Sequence, residues 1–156
     1  MASPVKPLDL FIAKFAVVAK LALLTHIFVF VLYVFCGKIF AHLSGWPSMR
    51  LPFFLLRGAV GALAVIAAQL VLAMMIRSFA VPIFLGLVGG VTGMFAGSKG
   101  FALAWPYCLM QAGMNANKKE DVLSGGYGLF VLSCVLWLMV LFVLAGWILK
   151  KKDVRA

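Results

Sequence analysis

Acidic side chains are almost missing from this chain. It has four, Asp9, Glu120, Asp121 and Asp153, against fourteen lysines and arginines. None of the four lies inside a long apolar run, so no intramembrane carboxylate is available for a proton relay. Cysteine is scarce too: Cys36, Cys108 and Cys134 cannot make a paired disulfide framework, and no CxxC or Cys/His cluster points to a metal. The two histidines, His26 and His42, have no acid or serine at a spacing that suits nucleophilic catalysis. No phosphate-cradling loop is present, because Gly86-Leu87-Val88-Gly89-Gly90 does not match GxxxxGK[ST]. These absences argue against an enzyme and call for no cofactor. The first twenty residues carry prolines, an aspartate and spaced lysines, which is not the layout of a secretory signal.

What the chain has instead is apolar length. Apolar residues make up 65% of it and charged residues 12%. Tyr127 to Leu149 contains no charge at all and then stops at Lys150-Lys151-Lys152. A helix of that length crosses a bilayer core about 30 Å thick. A soluble core helix is seldom apolar on every face for so long. The net charge of +10 therefore reads as lipid contact rather than nucleic acid, since the cations sit singly at the ends of apolar runs or in the tail.

The pattern predicts an all-α, polytopic membrane helix bundle. Its spans cover about 20–37, 54–76, 79–97 and 127–149. Lys20 snorkels at the start of the first; Arg57 and Arg77 flank the second. Between the third and fourth lies an apolar piece at about 101–114, interrupted by Trp105-Pro106-Tyr107 and too short to cross. It reads as re-entrant or interfacial, because Trp and Tyr favour the headgroup level. Residues 115–128 form a polar, glycine-rich loop, and 150–156 a basic tail.

Four spans put both termini on one side. With the termini cytoplasmic, eight cations lie inside and six outside. The dense basic tail favours that orientation, while Lys118-Lys119 is offset by Glu120-Asp121. The expected location is a multi-pass cell-membrane protein.

Three features are candidates for function. Before the first span, Leu8, Phe11, Ile12 and Phe15 fall on one helical face, with Lys6 and Asp9 pointing elsewhere. Residues 1–19 thus read as a short amphipathic helix on the cytoplasmic surface, either a lead-in to the span or a docking helix for a partner. In the third span Gly86, Gly89, Gly90, Gly93 and Gly97 form small-xxx-small pairs that let a neighbouring helix approach closely. Pro82 should add a weak point near the start of that span by removing a backbone hydrogen bond. In the second span Gln69 needs a hydrogen-bond partner or a polar path.

The run Arg77-Ser78-Phe79-Ala80-Val81-Pro82-Ile83-Phe84-Leu85-Gly86-Leu87-Val88-Gly89-Gly90, followed by Ala104-Trp105-Pro106-Tyr107, resembles type-2 ABC transporter permeases. The nearest group is the permeases of lantibiotic and bacteriocin immunity systems. The opening Ser3-Pro4-Val5 and Ile12-Ala13-Lys14 is similar to that family's cytoplasmic coupling segment. The family pattern has six spans, so the resemblance implies that these are its third to sixth, and that the chain is a permease subunit, an N-terminally truncated fragment of one or half of a split permease. It further implies an exporter of peptides or lipid-like molecules, with ATP hydrolysed by a separate cytoplasmic subunit and a second permease chain as partner. Lys6, Leu8, Asp9, Phe11 and Ile12 would then face the ATPase. Gln69, Pro82, Gly86, Gly89, Gly90, Gly93, Trp105 and Pro106 would serve helix packing or the transport path. A four-span scaffold or assembly protein is the alternative.

Overall fold

The computed structural model describes residues 7–42, 44–46, 48–116 and 120–153. Five helices follow one another: α1 (Pro7–Ile39), α2 (Arg50–Met75), α3 (Ala80–Ser98), α4 (Pro106–Gly113) and α5 (Tyr127–Asp153). No strand occurs among the described residues. Four of the helices, all but α4, are long and apolar enough to cross a membrane. The chain is an all-α bundle of membrane-span type.

The first helix differs from the sequence reading. The amphipathic piece and the first span are one continuous helix of 33 residues. The cause is local: between Pro7 and Gly37 there is no proline and no glycine to end it. Pro7 suits the first turn, Asp9 lies in that turn and Lys38 in the last, so both ends complement the helix dipole. At about 1.5 Å per residue the helix is longer than the bilayer core. Lys20 is therefore an exposed mid-helix residue and not a boundary.

The second difference concerns Pro82. It is the third residue of α3, which starts at Ala80. The first four N–H groups of a helix have no partner inside it, so proline removes nothing there. The expected weak point is absent for that reason, and Pro82 is buried. At its other end α3 closes with Gly100 at φ +88°, where Phe101 N–H reaches Ala96 O at 3.0 Å and Gly100 N–H reaches Gly97 O at 3.5 Å. That is the Schellman pattern, which needs a residue free to adopt positive φ.

Helix α2 is the hub. It packs against α1, α4 and α5, and touches α3 only lightly. Into the space where α2 and α3 part, α4 is inserted. Eight residues give it about 12 Å of length, too little to cross. Pro106 starts it, directly after the extended Trp105. Pro106, Cys108, Leu109, Ala112 and Gly113 are all buried, so the segment is enclosed by the other helices rather than laid on their outer surface.

Side-chain size runs opposite to that of a soluble protein. The buried positions of α2 are mostly small: Gly58, Gly61, Ala62, Ala64, Ala67 and Ala68. Phe28, Phe84, Leu87 and Trp147 are turned outward. Lipid removes the drive to bury large apolar groups, and small residues allow backbones to approach. Two clusters form the interior. Phe11, Ala67, Val71, Leu141, Ala145 and Ile148 join α1, α2 and α5. Ala64, Leu109, Leu123, Phe130 and Cys134 join α2, α4 and α5, and Trp137 packs on both clusters.

Candidate functional site

Three helices meet around one polar pair. Gln69 of α2 and Tyr107 of α4 lie in hydrogen-bond contact at 2.7 Å. With the amide turned so that both its ends are satisfied, Tyr107 Oη donates to Gln69 Oε1 and Gln69 Nε2 donates to Pro82 O at 3.1 Å. The Gly86 N–H lies 3.3 Å from the same Oε1. One side chain thus ties α2 to α4 and to the first turns of α3. The interhelical hydrogen bond expected of Gln69 is present.

The glycines of α3 make this approach possible. A Cβ at Gly86 would run into the Gln69 amide, and one at Gly89 would lie 2.7 Å from the Tyr107 ring. At Gly93 it would be 3.1 Å from the Tyr107 carbonyl. The bare backbone also leaves carbonyl lone pairs uncovered. Cys108 Sγ donates to Gly93 O at 3.0 Å and Gln111 Nε2 to Gly90 O at 3.3 Å. Helix α4 therefore grips α3 partly through α3's main chain.

The predicted packing residues separate into two sets. Pro82, Gly86, Gly89 and Gly93 converge on the Gln69–Tyr107 pair, Pro82 and Gly86 against the Gln69 amide and Gly89 and Gly93 against Tyr107. Gly90 has open space where its Cβ would be and contributes only its carbonyl. Pro106 is buried at the head of α4, whereas Trp105 is exposed beside it, its ring centroid 6.3 Å from that of Tyr107.

The predicted docking residues also divide. Phe11 is buried, its ring edge-on to Phe142 of α5 at 5.2 Å, with Phe15 on the same ring at 5.1 Å. Phe11 thus faces the protein's own interior, a correction to its placement on a free surface. Leu8, Asp9 and Ile12 are exposed, and Lys6 lies outside the described residues.

The strongest polar contact was not foreseen. Arg57, buried in α2, makes paired hydrogen bonds to Asp121: Nη1 to Oδ2 at 2.9 Å and Nη2 to Oδ1 at 3.0 Å. The guanidinium also reaches Ala112 O at 3.4 Å and lies over the rings of Phe53, Phe54 and Tyr127 at 5.1 to 5.4 Å. Asp121 in turn accepts from Tyr127 Oη at 2.8 Å and from Leu123 N–H at 3.1 Å. The hydrogen bond from Arg57, helped by those two donors, holds the Asp121 carboxyl down at about 2. Asp121 serves Arg57, rather than merely offsetting the lysines before it. Nothing in local sequence pairs residues so far apart, but a lone arginine two turns inside an apolar helix is a signal that a carboxylate must be found for it.

The α2–α4 contact was missed as well. A Cβ at Gly61 would lie 2.7 Å from Met110 N, and one at Gly113 would lie 2.6 Å from Arg57 O. The run of glycine and alanine from Gly58 to Ala68 carried that information. His26 Nδ1 contacts the Ala22 carbonyl of its own helix at 2.8 Å. No group of three potential metal ligands occurs among the described residues. Comparison of the chain with protein-family models, curated proteins and solved structures finds no match.

Proposed function

We propose that this chain is a membrane-spanning permease subunit of an exporter, driven by ATP hydrolysis in a separate cytoplasmic subunit. The resemblance of its third span and Trp-Pro element to type-2 ABC permeases motivates the reading. The observation that carries it is the contact between α3 and α4. Helix α3 is held there by glycines and by hydrogen bonds to its backbone, not by interlocked large side chains. Backbone carbonyls recur at every turn, so a helix held this way has equivalent positions one turn along. That is a physical basis for a helix that shifts during transport. The substrate class, an amphipathic peptide or lipid-like molecule, follows from the resemblance alone.

In this reading both termini are cytoplasmic and the chain itself binds no ATP. The ATPase would dock on the exposed start of α1, at Leu8, Asp9 and Ile12, and a second permease chain would complete the path. A four-span scaffold is the second reading, and one observation favours it: Phe11 and Phe15 are already taken up by Phe142. A search for an ATPase encoded beside this chain, and co-expression with any that is found, decides between them. The permease reading expects co-purification that Leu8→Arg with Ile12→Arg abolishes. Recovery of no ATPase, or recovery indifferent to both changes, favours the scaffold. Orientation is tested with single cysteines in a background free of the native three: Ser124→Cys should label from outside intact cells and Ser78→Cys only from inside.

A further inference from the structure

Among the described residues, the backbones of α1 and α3 do not approach each other closely. The gap between them, floored by α2, is a cavity of about 550 Å³, a size in the usual range for small-molecule sites. Val18 of α1, Ile66 and Leu70 of α2, and Ile83 of α3 supply apolar walls. Arg77 and Ser78 stand at one end, in the short turn that joins α2 to α3. Several lining residues, Ala73, Phe79 and Ile83 among them, are also exposed, so the cavity opens onto the apolar outer surface.

We propose that this cavity is a binding site for an anionic phospholipid, with an acyl chain between α1 and α3 and the phosphate at Arg77. Four observations support that occupant. The opening faces the side from which a lipid arrives. Arg77 sits at a helix-connecting turn, where headgroups lie. Lys14 precedes Val18 by four residues, so it is on the same side of α1 one turn nearer the N-terminus, and it adds a second cation towards the same end. No acid is among the lining residues. A peptide suits the cavity poorly: its one polar wall group beyond that turn, Gln69, is already bonded to Tyr107 and Pro82. The inference stands on geometry and charge, and does not depend on the transport reading.

The test uses the full chain purified in detergent, with phosphatidylglycerol and phosphatidylcholine of identical acyl chains as probes. Bound lipid is read by native mass spectrometry, and protection by thermal unfolding. Phosphatidylglycerol should bind at roughly ten-fold lower concentration than phosphatidylcholine, because two cations near the headgroup favour the anion. Lys14→Gln with Arg77→Gln should bring the two lipids level. Lys38→Gln with Lys99→Gln, at the opposite end of the bundle, should leave the preference intact. Ala73→Trp, which fills the cavity, should abolish retention of both lipids. If that variant does not fold, the charge variants still decide. Equal retention of the two lipids by the unaltered chain overturns the proposal. So does a preference that survives Lys14→Gln with Arg77→Gln, which would mean general attraction to a basic surface.

Discussion

Arg57 and Asp121, 64 residues apart in sequence, face each other with two parallel hydrogen bonds, and that pair joins α2 to the connection before α5. Both groups are largely withdrawn from solvent, with side-chain exposures of 7% and 21%. Arginine's planar fork makes the bidentate geometry possible, and lysine could not reproduce it. The pair therefore fixes where the chain returns after α4, and with it the depth at which α4 sits.

Asp121→Asn should be costly. It leaves the buried Arg57 guanidinium without its counter-charge, and breaking such a pair costs on the order of 3 kcal/mol. The thermal midpoint in detergent should fall by several degrees. Arg57→Lys should lose part of the same stability, because one ammonium replaces a two-point contact. An unchanged midpoint in both variants would show that the pair contributes nothing.

The same carboxylate predicts an acid limb. The Asp121 carboxyl sits at about 2 in the folded chain, below its ordinary value of 3.8. A lowered folded value means stability that is fully present above the ordinary value and lost as pH falls towards the folded one. The wild type should hold its stability from neutral pH down to about 4 and weaken between about 4 and 2. Asp121→Asn, which has no such proton to take up, should lack this contribution at every pH. Parallel pH curves for the two proteins across that window would overturn the assignment.

Two adjacent glycines of α3 should behave differently. A methyl group at Gly89 meets the Tyr107 ring at 2.7 Å, and the ring is held by Gln69, so Gly89→Ala should cost about 1–3 kcal/mol. A methyl group at Gly90 meets nothing within 4 Å, so Gly90→Ala should be neutral or stabilising by a few tenths of a kcal/mol. Thermal unfolding of the two single variants makes the comparison. Equal effects would mean that α3 is rotated from the position described.

Gln69 and Tyr107 should be coupled. Gln69→Leu and Tyr107→Phe each remove one side of the bond that links α2 to α4. Double-mutant cycles on polar pairs in membrane proteins return about 0.6 kcal/mol on average and up to about 1.7. Because Gln69 also holds Pro82 O, its loss should exceed that of the Tyr107 hydroxyl. Strict additivity of the two substitutions would remove the hydrogen bond from the account.

The apolar runs by themselves determined the class, the number of helices long enough to span a membrane and the place of the short fourth segment. Hydropathy is a local property, and a bilayer leaves the backbone few options beyond the helix. The glycine repeat of α3 was legible for the same reason: spacing alone says which residues share a face. Tertiary structure decided the rest. Helical periodicity cannot say whether a face meets lipid, a partner or another helix of the same chain, so Phe11 could be placed on a surface by sequence and inside the bundle by Phe142. The union of the amphipathic start with the first span depended on the missing breaker near Lys20, a local signal outweighed in the sequence reading by the charge there. The partnership of Arg57 with Asp121, and of Gln69 with Tyr107, Pro82 and Gly86, could not be read along the chain at all. Each desolvated polar group requires a partner, but only the packing of α4 between α2 and α3 selects which one.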